Sequence, residues 1–280
     1  YGGTLAATAF PLFINGNAVT TGPPNTLLSN FLYTLTETQQ TGYTGGYFTG
    51  DCSADGSIVL SVGDNKTCYV TNIDAQPKLT VTKVMINDDG GTKEVTDFPL
   101  FVNSTSVKSG AQNGFNAGNY TVSETGISGY ASTISGDCST DGSVTLAVGD
   151  VKSCTITNND DPGTLIVKKV VSGGDKIASD FEFIVNDDDS QSFESDGQND
   201  LTVDAGNYTI TEVNDPEYSV TYDNCEDVNI VNGGSATCTI TNTKPGTIQG
   251  FKYNDTDGDY LTTSDQTPVG DWGISLYQCM

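Results

Sequence analysis

The chain has no histidine and no arginine; its eleven cationic residues are all lysine. Without histidine, the side chain that most often serves as general base or metal ligand near neutral pH is missing. Without arginine, so is the planar fork that grips phosphate and carboxylate. No apolar run approaches the roughly 20 residues of a membrane span, and no stretch of these residues is expected to serve as a signal peptide. Asp and Glu number 36, for a net charge of −25, which repels nucleic acid and anionic membrane surfaces. The expectations are therefore no nucleic-acid partner and no membrane insertion. The chain opens on Tyr1 rather than Met, as expected of a processed or excerpted piece of a longer protein. Helix formers are scarce, and Thr, Val, Ile, Tyr, Gly, Asn and Asp supply a strand-and-turn vocabulary.

What is present is repetition. GDCSADGSIVLSVGDNKTCYVTN (50–72) returns as GDCSTDGSVTLAVGDVKSCTITN (136–158), and diverges as YDNCEDVNIVNGGSATCTITN (222–242). TAFPLFINGNAVTTG (8–22), TDFPLFVNSTSVKSG (96–110) and SDFEFIVNDDDSQSF (179–193) form a second set. A third is FLYTLTET (31–38), GNYTVSET (118–125) and GNYTITEV (206–213). Short alternating strands between Gly, Asn and Asp turns, at this repeat length, predict all-β, small antiparallel β-sandwich domains of Ig-like size. The expected boundaries are 1–76 for a first repeat lacking its first strand, 77–161 and 162–244 for two whole repeats, and 245–280 for the beginning of a fourth. The junctions IDAQPK (73–78), NDDPG (159–163) and TKPG (243–246) are short and carry Pro, which favours an elongated rod.

Six of the seven cysteines fall in pairs within repeats: Cys52 with Cys68, Cys138 with Cys154, and Cys225 with Cys238. One disulfide per repeat is the expectation, which places the protein outside the reducing cytosol. Two Cys without His would make a poor metal site. Cys279 is left over, as expected if its partner lies beyond Met280.

Strand periodicity makes a sharper statement. Leu79, Val81 and Lys83 share a face, as do Leu165, Val167 and Lys169. Tyr120, Val122 and Glu124 do likewise, and so do Tyr208, Ile210 and Glu212. On the last strand Cys154, Ile156 and Asn158 match Cys238, Ile240 and Asn242. Each whole repeat thus aims one Lys, one Glu and one Asn at its core, where an unpaired charge costs several kcal/mol.

The order LTVTK or LIVKK, then YTVSE or YTITE, then TITN resembles the Cna-B or prealbumin-like (SpaA-type) domains of bacterial surface adhesins and pilins. GNYTVSETGISGY is similar to that family's GxYxLxExxxPxGY pattern, with the proline absent. The resemblance covers about residues 1–244. It implies an intramolecular isopeptide bond from Lys83 to Asn158 and from Lys169 to Asn242, assisted by Glu124 and Glu212. Burial lowers a lysine pKa and raises a glutamate pKa, so a neutral amine could attack the carboxamide while the acid shuttles protons. The alternative is a buried Lys–Glu ion pair hydrogen-bonded to Asn. Asn159 and Lys168 are the register-shifted substitutes. The first repeat keeps Glu37 and Asn72 without a Lys strand, through truncation or because another chain donates the strand.

NDTDGDYLTTSD (254–265) sets Asp255, Asp257 and Asp259 at alternate positions, with Asp265 further on. That spacing suits Ca²⁺, and with GTIQGFKYND and PVGDWGISLY it resembles the start of an SdrD-type B domain. The later Glu usual there is missing, and acidic turns are common in so acidic a chain, so a Ca²⁺ site and a solvated turn both stay open. NDDGG (87–91) and NDDDS (186–190) read as solvated turns. The sequons at Asn65, Asn103, Asn119, Asn207 and Asn254 match by composition. No other cofactor is implied. No turnover enzyme is expected, only single-turnover self-cross-linking. The reading is an extracellular stalk of a microbial cell-surface adhesin, its partners being neighbouring domains of a longer protein or identical chains in a fibre. The alternatives are a filament subunit completed by strand donation, and a glycan-binding module using Tyr43, Tyr47 and Phe48.

Overall fold

The computed structural model describes residues 1–248, Tyr253, Asn254, Thr267, Pro268 and Gly270. Its described elements are strands and three single-turn 3-10 helices, and no helix among the described residues is long and apolar enough to cross a membrane. Two compact units emerge. One comprises Tyr1–Ile166, Asp200–Tyr208 and Asp227–Thr237; the other comprises Val167–Asn199, Thr209–Glu226 and Cys238–Met280.

The second repeat gives the plan. One four-stranded sheet runs in the order Gln112–Gly114, Lys78–Ile86, Val151–Asp160, Tyr130–Gly136. The facing sheet runs Ser143–Leu146, Gly118–Glu124, Leu100–Val102, Thr105–Val107. Between them lies a core built on Leu79, Val81, Leu100, Val102, Val122, Leu146 and Ile156. All pairings are antiparallel but one: the opening strand Lys78–Ile86 runs parallel to the closing strand Val151–Asp160, with Lys83 opposite Ile156. The first and last strands of the repeat are therefore hydrogen-bonded neighbours, and that adjacency brings Lys and Asn onto one face.

The third repeat has the sheet order Gln198–Val203, Gly163–Ser172, Ser235–Thr243, Ser219–Asp223. In the first repeat the corresponding sheet pairs only Tyr43–Gly50 with Cys68–Asp74. Its core is smaller, with Ile14, Tyr33, Cys52 and Ile58 as its buried members.

Two of the sequence blocks are tied together by one turn. Asn15, Asn103 and Asn186 have positive φ, which Asn tolerates better than most residues. Each donates its backbone N–H to the carbonyl of Thr34, Thr121 or Thr209, and each side-chain oxygen accepts the N–H of that same threonine. The Asn that ends FPLFIN, FPLFVN or FEFIVN thus clamps the Tyr-Thr of the segment paired with it.

The three disulfides join Cys52 to Cys68, Cys138 to Cys154 and Cys225 to Cys238, with Cα separations of 5.3, 5.3 and 4.7 Å. In the second repeat the cystine fastens the exit of the Tyr130–Gly136 strand to the closing strand, where Cys154 lies opposite Gly136.

Candidate functional site

In the second repeat the alternation places Leu79, Val81 and Lys83 inside, with Cys154, Ile156, Asn158 and Asp160 inside on the neighbouring strand. Asn158 lies opposite Met85 in the parallel register, one diagonal step from Lys83 on the same face. From the facing sheet, Glu124 ends its strand opposite Leu100. The Lys83 ammonium sits 2.7 Å from Glu124 Oε2, and both side chains are sealed from solvent. The pair is in contact but not aligned as a hydrogen bond, and neither amide atom of Asn158 has a hydrogen-bonding partner.

The third repeat brings the same three residues closer. Lys169 donates to Glu212 Oε2, and Asn242 Nδ2 donates to Glu212 Oε1 at 2.5 Å. Asn242 Oδ1 is buried without a partner. Lys168 points to solvent while Lys169 is buried, which fixes the register of this strand. Asn159, the other substitute, is only partly buried and lies opposite Ile86, off the Lys83 face.

Burial pushes both Lys83 and Lys169 below the ordinary lysine pKa, although the neighbouring glutamate pulls each back up. An aromatic wall accounts for the dryness. Lys83 Nζ lies 4.7 Å from the Phe98 ring centroid. Lys169 Nζ lies 4.1 Å from that of Phe181 and 5.3 Å from that of Phe193. Phe98 and Phe181 belong to the TDFP and SDFE blocks, and each meets a tyrosine edge-on: Tyr130 and Tyr218. The sequence reading missed these phenylalanines as part of the site; their fixed place in the repeated block was the available signal.

The first repeat holds the remainder of the motif. Asn72 Nδ2 donates to Glu37 Oε2 at 3.0 Å, and both residues are half-buried. Tyr43, Tyr47 and Phe48 are not gathered into one exposed cluster. Tyr43 packs edge-on against Phe10, Phe48 packs against the core, and Tyr47 alone is exposed. Asp255, Asp257, Asp259, Asp265 and Cys279 lie outside the described residues.

Among the described residues, Asp88, Asp89 and Asp160 form the one group of three close carboxylates. It does not form an open cation cradle. Asp160 is 1% exposed and already accepts the backbone N–H groups of Asp88, Asp89 and Gly91 at 2.9, 3.0 and 2.6 Å. NDDGG is thus a turn folded onto a buried carboxylate rather than a freely solvated one.

The chain matches the family described as "Prealbumin-like fold domain" twice in tandem, over residues 74–156 and 160–240. No curated protein matches it. Among solved structures it is similar to the Bacillus anthracis TIE protein at 17% identity and a TM-score of 0.42, over 84% of this chain and 47% of that one. The chain thus spans about half the length of that relative. It is also similar to the minor pilin of Streptococcus agalactiae at 14% identity and a TM-score of 0.27, over 62% and 98% of the two chains. With two B repeats of the Staphylococcus aureus collagen-binding protein it shares 15% identity at a TM-score of 0.28, over 84% and 67%. Two matched copies span more than half of the sequence, and the sandwich with its parallel first and last strands stands behind them: the chain belongs to the prealbumin-like domain family.

Proposed function

We propose that this chain is a structural segment of an extracellular stalk on a microbial cell surface, and that its second and third repeats lock themselves with Lys83–Asn158 and Lys169–Asn242 amide bonds. The observation that carries this reading is the dry Lys–Glu–Asn cluster, met in the same order on the same strands of both repeats. Tandem repeats with a covalent tie across first and last strands suit a load-bearing role, and the partners are neighbouring domains of the same protein. The acidic surface and the cystines fit an extracellular site.

The chemistry balances within the cluster. One proton passes from the lysine ammonium to the glutamate, leaving a neutral amine and an acid. The amine nitrogen attacks the Asn Cγ while the C=O π pair moves onto Oδ1, which the glutamic acid polarises and protonates. The carboxylate so formed takes a proton from the attacking nitrogen and hands it to Nδ2; collapse breaks the bond from Cγ to Nδ2, the nitrogen leaves as ammonium with the proton that the hydroxyl sheds, and the glutamate is again ionised. Its work is done once per molecule. In the third repeat a cavity of about 150 Å³ borders Glu212 and Asn242 and offers the ammonia a way out.

Intact mass of the protein before and after reduction tests this. A deficit of one ammonia per whole repeat, surviving reduction and mapping to Lys83–Asn158 and Lys169–Asn242 peptides, is expected. Glu124→Ala is expected to restore one ammonia. A mass short only of the cystine hydrogens would overturn the reading and leave the lysines as buried ion-pair partners.

A further inference from the structure

The turn that folds onto Asp160 also touches the repeat that follows. Ala205, of the third repeat, donates its N–H to the carbonyl of Asp89 at 2.8 Å. Asp161, in the linker, donates to Gly129 of the second repeat at 2.9 Å, and its carbonyl accepts the N–H of Gly233 from the third at 3.0 Å. The same pattern occurs one repeat earlier. Ala117 donates to the carbonyl of Tyr1, Ala75 donates to Gly42, and Gly149 donates to Ala75, each at 2.8 Å. In both places a strand-end carboxylate holds the Gly-Gly turn: Gly3 donates to Asp74 at 2.9 Å as Gly91 does to Asp160.

We propose that these three backbone hydrogen bonds and the strand-end aspartate form a repeated coupling, by which each repeat seats the next copy of the same domain in a fixed register. The partner that the end of a repeat fits is therefore another repeat of this kind, bearing Ala before Gly-Asn-Tyr and Gly in the turn before its closing strand. The fit is close. A Cβ on Gly42 would lie 2.1 Å from the Val148 carbonyl oxygen, and one on Gly129 would lie 2.4 Å from that of Asn232. The Ala-Gly-Asn-Tyr motif then has two tasks: its tyrosine and glutamate serve their own core, and its alanine N–H reaches back to the preceding repeat. At the end of the third repeat the strand-end carboxylate is replaced by Lys244, which pairs with Glu217 at 2.5 Å.

Residue-resolved amide hydrogen exchange on the whole chain tests the coupling. Gly129→Ala is expected to speed exchange at Asp161 and Gly233 at least tenfold while Ala117 and Gly149 keep their rates. Gly110→Ala introduces the same positive-φ strain with no atom within 4 Å of the new methyl group, and is expected to leave all four unchanged. Asp160→Asn is a second variant for the case in which Gly129→Ala unfolds the repeat, as loss of protection at Ile156 would reveal. It is expected to speed Gly91 and Ala205 together. The proposal falls if Ala205 and Gly233 already exchange at free-peptide rates. It falls too if the folded Gly129→Ala protein keeps Gly233 protected, or if Asp160→Asn frees Gly91 alone.

Discussion

The first and second repeats treat the same glutamate and asparagine differently. In the first, Glu37 and Asn72 satisfy each other and sit half in water. In the second, Lys83 takes the glutamate, and Asn158 is buried with neither of its amide atoms bonded. The lysine brings a charge into the core and withdraws the asparagine's natural partner. A buried amide without partners is an expensive arrangement as a resting state, whereas it is the required one for a reactant. The third repeat stands between the two, with Glu212 holding both Lys169 and Asn242. The lysine, more than the glutamate or the asparagine, therefore separates a polar contact from the cluster proposed to react.

The largest effect expected from breaking this contrast is that of Lys83→Met. Between Lys83 and Asn158 lie 75 positions of sequence separation, and losing the proposed tie across a loop of that size is expected to cost about 4–5 kcal/mol. The stranded Glu124 carboxylate adds to the loss, because removing one partner of a buried pair is itself strongly destabilising. Exchange of the closing-strand amides measures the sum, and Lys83→Met with Glu124→Gln is expected to recover the second part alone. Next comes the cystine. Replacing Cys138 and Cys154 with alanine opens a loop of separation 16 and is expected to cost about 3 kcal/mol, with the Lys83–Asn158 tie still forming. Smallest is Glu37→Gln in the first repeat. Its amide oxygen can still accept from Asn72, so the change is expected to stay below about 1 kcal/mol in the same measurement. A first-repeat loss as large as the Lys83→Met loss would erase the distinction.

The inward faces were legible because strand alternation has period two: KLTVTK and TITN place Lys83 and Asn158 inside whatever the topology. The cystines followed from spacing within a repeat. The parallel pairing of Lys78–Ile86 with Val151–Asp160 was not legible, since alternation is the same for parallel and antiparallel neighbours. Phe98 and Phe181 were hidden for another reason: a buried aromatic reads as ordinary core until the lysine beside it is placed. The coupling was hardest to foresee. Backbone N–H and carbonyl groups carry it, so its traces in the sequence are glycines, which every turn also demands, and aspartates in NDDGG that look solvated.

The two couplings differ in charge, and this gives the finest expected effect. Around the second stand Asp88, Asp89, Asp160, Asp161 and Asp204, with the Tyr130 hydroxyl lying over Gly91. At the corresponding places of the first are Tyr1 for Asp89, Asp74 for Asp160, Ala75 for Asp161 and Asn116 for Asp204, and the Tyr1 α-ammonium lies 2.5 Å from the Asp74 carboxylate. Burial raises the Asp160 pKa, but the N–H groups of Gly91, Asp89 and Asp88 outweigh it and hold the carboxyl below its ordinary value. Asp89 is pushed above its own by burial and by the carboxylates of Asp88, Asp160, Asp204 and Asp161. A depressed pKa contributes stability that is present above the ordinary carboxylate range and lost as pH falls through the lowered value. A raised one is a penalty at neutral pH that protonation relieves. On acidification the second coupling should therefore tighten first, as Asp89 takes up a proton, and loosen later, as Asp160 does. The first coupling has no counterpart of Asp89 and should only loosen. Amide chemical shifts followed through an acid titration, from about pH 6 downward, check this: Ala205 is expected to show inflections on both sides of the ordinary aspartate pKa of about 3.9, and Ala117 to show none above it in that range. A single inflection near the ordinary value at both amides would mean that the carboxylates around Asp160 are screened from one another, and that the two couplings respond to acid alike.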